Sequence, residues 1–114
     1  MKNAATALLM ILAVVMALPL HAREMRTEKI KLPTLQCGMC KETIETKMQK
    51  MKGLKSIVVD VDDLSATVEY DADVVTLAKI EKSIADIGYD ANDTRAKRSA
   101  QRKLDKCCQP GAHR

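Results

Sequence analysis

The 114-residue chain has no Phe and no Trp, and only two Tyr, three Pro and four Gly. With so few aromatic rings it has no platform on which the bases of single-stranded nucleic acid could stack. A core must therefore be assembled from Ile, Val, Leu, Met and Ala. Histidine is equally scarce: His21 and His113 are the two present. No Ser-His-Asp arrangement, carboxylate pair or phosphate-cradling glycine loop can be traced, so the expectation is a protein that is not an enzyme. The length suits one small domain and excludes a multi-domain enzyme with a large buried cleft.

Long apolar runs are also rare. The single example is N-terminal, where Lys2 precedes the uncharged stretch from Asn3 to Leu20, with Ala7–Leu18 uniformly apolar. A helix crossing a bilayer needs roughly 20 such residues, whereas this run has the length of a signal-peptide core. Pro19 ends it, and Ala22 supplies a small residue for cleavage. The expectation is a cleaved signal peptide over 1–22 and an exported, periplasmic protein, with an uncleaved membrane anchor as the alternative. No Cys lies near that point to carry a lipid.

Charge divides the remaining residues. Arg23 to Thr94 carries eleven basic and fourteen acidic residues, net −3, whereas Arg95 to Arg114 carries seven basic and one acidic, net +6. The chain thus reads as a folded domain over 27–93 followed by a basic tail over 94–114. Export makes nucleic acid an improbable partner for that tail. A solvated basic face accounts for it as well as a docking role does.

Within the domain, strand and helix periods alternate. Ile30 and Leu32 share one face of a strand between Thr27 and Leu35. Ile44, Met48 and Met51 then recur at helical spacing, with Gly53 placed to end the helix. Ile57, Val59 and Val61 alternate with Val58 and Asp60. After an Asp62-Asp63 turn, Ala66, Val68 and Tyr70 do the same, which predicts a hairpin. Leu77, Ile80, Ile84 and Ile87 mark a second helix closed by Gly88. The order β-α-β-β-α needs one more strand to complete an α+β, ferredoxin-like βαββαβ sandwich, and Tyr89–Asn92 is the candidate, short and polar. In the C-terminal basic extension, Ala96, Ala100 and Leu104 give a thin helical stripe between Arg95 and Lys106.

The chemistry rests on Cys37-Gly38-Met39-Cys40, at the junction of the first strand and first helix. Gly38 would allow a tight or left-handed loop. Cys40 would fall in the first helical turn, where unpaired amides and the positive dipole end stabilise a thiolate. Such a pair serves metal binding, redox exchange or a structural disulfide. A thioredoxin-type site would need a different strand order, and usually an aromatic before the first Cys, where this chain has Leu35-Gln36. That context favours two thiolates converging on a soft ion, since sulfur selects Cu(I), Zn(II) or Hg-like metals over oxygen-loving cations.

Leu35-Gln36-Cys37-Gly38-Met39-Cys40, followed by a helix, a hairpin, a second helix and Gly88-Tyr89, resembles the heavy-metal-associated domain family from about Glu28 to Asn92. That family includes copper chaperones, metal-binding modules of P-type ATPases and periplasmic mercury-binding proteins. Its usual Met-x-Cys-x-x-Cys pattern has Leu35 in the Met place here, a packing residue for which Leu is a tolerable exchange. The resemblance implies Cys37 and Cys40 as the metal thiolates, for Hg(II) or Cu(I), with Zn(II) and Cd(II) also open. It implies Tyr89 as a neighbour that shields the metal loop or donates to a sulfur, although a rim residue capping the core is an equal reading. Met39 is expected to point outward. The implied partner is a membrane metal transporter or P-type ATPase, and the protein would be a monomer or a metal-bridged dimer.

Cys107 and Cys108 are outside that pattern. Adjacent cysteines make a strained disulfide with each other, and Lys103 and Lys106 are placed to favour their thiolates. If the basic segment folds back, either could be a further ligand to an ion held by Cys37 and Cys40. The pair could instead acquire metal separately, resolve an oxidised CxxC by thiol exchange, or form disulfides. The alternative function is accordingly a thiol-disulfide redox protein using both pairs. A disulfide-stapled interaction domain is a third reading.

Overall fold

The computed structural model describes residues 23–111, so the expected signal peptide and His113 lie outside the described residues. The elements are β1 (Met25–Lys31), α1 (Gly38–Met48), β2 (Leu54–Asp60), β3 (Ser65–Asp71), α2 (Leu77–Ile87), a short α3 (Arg98–Gln101) and a 3₁₀ turn at Lys106–Cys108. The strands form one antiparallel sheet in the order β1-β3-β2. Alternation sets its two sides. Ile30, Ile57, Val59, Ala66, Val68 and Tyr70 are buried, while Lys29, Val58 and Thr67 face solvent.

The helices cover the buried side. In α1 a narrow stripe of Cys40, Ile44 and Met48, each one turn after the last, enters the core. In α2 the inward residues are Ile80, Ile84 and Ala85. Helix α2 is capped at its start by Thr76, whose Oγ1 accepts from the Lys79 amide at 3.2 Å. The β2–β3 hairpin forms where expected. Asp60 closes its turn by accepting the Asp62 and Asp63 amides on Oδ1 at 3.0 and 3.1 Å.

Four local features differ from the sequence expectation. Helix α1 stops at Met48, well short of Gly53. Gly53, at φ +90°, instead lies in the turn that precedes β2, in a place where a Cβ would stand 2.9 Å from the Val74 and Val75 side chains. Gly38 does not adopt a left-handed conformation; it begins α1, and a Cβ there would meet open space. The fourth strand shrinks to a bridge between Ala91 and Thr94. On the edge of β1 away from β3, Asn92 pairs with Lys31, its amide donating to the Lys31 carbonyl and its Oδ1 accepting from the Lys31 amide, both at 2.8 Å. The polar side chain takes the place of a second backbone rung, which halts the ladder. Finally, the tail stripe yields one turn of helix, because two of its three residues are alanines that bury little.

Gly88 connects the sandwich to that tail. Its φ is +122°, and a Cβ would lie 3.0 Å from the Gln101 backbone. Gly88→Ala is therefore expected to lower unfolding free energy by about 1–3 kcal/mol, from backbone strain and the displaced tail together. Urea denaturation of the reduced, metal-free protein would measure it.

Candidate metal centre

The metal loop begins where β1 ends, at Leu32 and Pro33. Leu35 is buried in the core beneath it, as expected of a packing residue. Thr34 ties the loop to the segment that follows α2, its Oγ1 accepting from the Asp90 amide at 3.1 Å. Cys37 then occupies the N-cap of α1 in an extended conformation, with no side-chain cap hydrogen bond there. The first amides of a helix have no carbonyl partners in their own helix. At α1 the Cys40 and Lys41 amides donate to the carbonyl of the N-cap residue Cys37, at 3.0 and 3.2 Å.

That arrangement polarises Cys37. The nearby Cys40 backbone amide is the largest influence, joined by the Met39 amide and the thiols of Cys40 and Cys107. Together they outweigh burial and bring its thiol down to about 7. The Cys37 and Cys40 sulfurs lie 3.7 Å apart. Cys40 is fully buried and Cys37 partly so.

The C-terminal segment folds back over this loop through a chain of contacts. Asp90 Oδ1 accepts the Ala96 amide at 2.8 Å, and the Lys97 amide donates to the Ala85 carbonyl at 2.9 Å. Glu81 on α2 accepts from Asn92 Nδ2 at 2.5 Å and from Thr94 Oγ1 at 3.3 Å. Leu104 packs against the core, and Gln109 Nε2 donates to the carbonyls of Leu104 and Arg102. The 3₁₀ turn, closed by the Cys108 amide on the Asp105 carbonyl at 2.8 Å, then directs Cys108 inward until it is 2% exposed.

The sulfurs of Cys37, Cys40 and Cys108 all lie within 4.8 Å of one another. Cys107 stays at the lip, its sulfur 3.9 Å from that of Cys108 and 3.5 Å from the Met39 thioether. Met39 is 48% exposed, as the sequence pattern predicts, but its sulfur meets the tail instead of facing open solvent. The expectation that Lys103 and Lys106 would favour thiolates in the pair is not met. Burial pushes both Cys107 and Cys108 upward, and the neighbouring Cys40 adds to the effect at Cys108.

Tyr89 is wholly buried, and its hydroxyl has no hydrogen-bond partner among the described residues. Burial pushes its phenol far above the usual range, and the adjacent thiols of Cys108 and Cys40 push in the same direction. The hydroxyl is thus close enough to feel those sulfurs, yet no hydrogen bond of acceptable geometry satisfies it.

A two-cysteine loop at the start of the first helix of such a sandwich marks a known family. Its model, the heavy-metal-associated domain, matches residues 29–90, more than half of the chain. The chain belongs to the heavy-metal-associated domain family. The copper chaperone CopZ of Staphylococcus saprophyticus is 32% identical over 66 residues, 58% of this chain and 97% of the chaperone. Copper-transporting ATPase 1 of Rattus norvegicus is 33% identical over 63 residues, 55% of this chain but 4% of the ATPase. Among solved structures, oxidised MerP from Ralstonia metallidurans CH34 superposes with a TM-score of 0.58 at 25% identity, covering 60% of this chain and 96% of MerP. The ferredoxin-like α+β fold of the family is therefore the fold of this protein.

The family match contains Cys37, Cys40 and Tyr89 and ends before Cys107 and Cys108. The sequence leaves the role of the second pair open because no local pattern shows where a thinly apolar tail will dock. The one local trace is Gly88, which reads as a helix stop and also makes room for the tail backbone.

Two outcomes are expected for the reduced, metal-free protein. Since the thiolate is the reacting species, alkylation of Cys37 by iodoacetamide should accelerate as pH rises through about 7. Cys108 should stay unmodified until pH exceeds the ordinary thiol range; peptide mapping would resolve the two. Tyr89→Phe removes a buried hydroxyl that lacks a partner, so stability in denaturant should be unchanged or higher by up to about 2 kcal/mol.

Proposed function

We propose that this protein is an exported metal carrier of the chaperone type, which captures a soft cation as cargo on the Cys37 and Cys40 thiolates and passes it to a membrane metal transporter or P-type ATPase. The observation that carries this reading is the pair of sulfurs 3.7 Å apart at the N-terminal end of α1, within a heavy-metal-associated domain. Both features favour a thiophilic ion of the Cu(I) or Hg(II) type. Cu(I) is taken first because the chaperone and ATPase relatives carry copper in their names. The likeness to MerP keeps Hg(II) as its competitor. The N-terminal apolar run supports export, and hence a periplasmic site of capture.

Transfer proceeds by thiolate exchange. A cysteine thiol of the receiving protein forms a new metal–sulfur bond as the bond to Cys37 breaks, and its proton passes to the departing Cys37 sulfur. The oxidation state of the metal does not change. An ion with few ligands accepts the incoming sulfur before losing an old one, so tight binding and rapid release are compatible.

Native mass spectrometry of the reduced mature protein, titrated separately with Cu(I), Hg(II) and Zn(II), tests the reading. One retained ion is expected, lost in Cys37→Ser/Cys40→Ser. Failure to retain any ion, with ready disulfide formation instead, would move the protein to the thiol-disulfide class. Expression of the full chain in a Gram-negative host should also yield a periplasmic product whose mass begins at Arg23. A cytosolic product, or one that keeps residues 1–22, would overturn export with cleavage.

A further inference from the structure

We infer that Cys108 is a third thiolate ligand of the captured ion, so that the C-terminal segment turns an open two-sulfur loop into an enclosed three-sulfur centre. This rests on the reading of Cys37 and Cys40 as the cargo ligands. Distances support it first. With metal–sulfur bonds of about 2.3 Å, a two-coordinate linear ion needs sulfurs about 4.6 Å apart, whereas three sulfurs around one ion are about 4 Å apart. Cys37 and Cys40 stand at 3.7 Å, and the triad with Cys108 falls within 4.8 Å. The spacing suits a trigonal set better than a linear pair.

Placement supports it next. Residues 95–111 carry a net positive charge and are mostly exposed, yet Cys108 is buried against the metal loop. It is carried there by the Asp90–Ala96, Lys97–Ala85 and Gln101–Gly88 contacts and by the 3₁₀ turn. A tail serving only solubility has no need to seat a thiol beside two others.

The third support is independent of the sulfurs' positions. The Tyr89 hydroxyl is fully buried and has no partner among the described residues. A buried donor left unmade is destabilising. Thiols are weak acceptors, but once Cys40 and Cys108 lose their protons to bind metal, each becomes an anionic sulfur able to accept from that hydroxyl. Each cysteine that joins the ion releases one proton. Three thiolates around Cu(I) leave a net charge of −2, around Hg(II) −1. The basic charge of the tail offsets either in sign.

X-ray absorption on the reduced mature protein loaded with one equivalent of Cu(I), and separately of Hg(II), decides the matter by counting sulfur neighbours. The wild type should show three. Cys108→Ser should show two, with shorter metal–sulfur bonds and at least a tenfold loss of affinity in chelator competition. Cys107→Ser should keep three. Two sulfurs in the wild type would overturn the inference and leave the carrier reading standing; this measurement needs no variant to fold. Three in Cys108→Ser with two in Cys107→Ser would overturn the identity of the third ligand. Ion retention by Cys37→Ser/Cys40→Ser, or none by the wild type, would remove the carrier reading and this inference with it.

Discussion

Desolvation and amide donation compete over the same few sulfurs, and the rest of the site depends on where each one wins. A neutral thiol is apolar enough to sit in a core, whereas a thiolate needs donors or a cation. At Cys37 the nearby amides of Cys40 and Met39 prevail and the thiol is easily ionised. At Cys108, under 5 Å away, burial prevails and the proton is held. The sandwich makes this contrast possible by ending β1 at a proline-containing loop and placing Cys37 at the N-cap of α1, so that one sulfur sits at the helix end and its neighbour Cys40 turns into the core.

Periodicity made most of the sandwich legible. Ile30, Val59, Val68, Ile80 and Ile84 all lie in the core because a strand or helix with one apolar face has few places to put it. The glycines were harder to interpret. Gly53 and Gly88 both looked like helix stops, but only Gly88 ends one, and both are required by close approach of another segment. Such approaches involve residues distant in sequence, which no local window contains. The fourth strand was overestimated for a related reason: Asn92 can satisfy Lys31 with its own side chain and so needs no extended ladder.

The metal loop was visible as a motif, since two cysteines at that spacing at the start of a helix restrict the geometry severely. The convergence of Cys108 and Tyr89 upon it was not. Tyr89 sits where the family resemblance placed a neighbour, but its complete burial and unmet hydroxyl depend on a tail whose anchors are backbone groups and a few side-chain caps. Hydrogen bonds of that kind leave little trace in composition.

Burial also gives the sulfur cluster a front and a back. Cys40, Cys108 and Tyr89 form the inner wall, whereas Cys37, Cys107 and Met39 line the rim. In the proposed carrier, a thiol arriving from another protein would meet the ion from the rim side, its approach directed towards a bond to Cys37 and away from one to Cys40. Unloading would then have a defined order of bond breaking, with the buried sulfurs last to let go, and a receiving protein would have to present its thiol from one direction only.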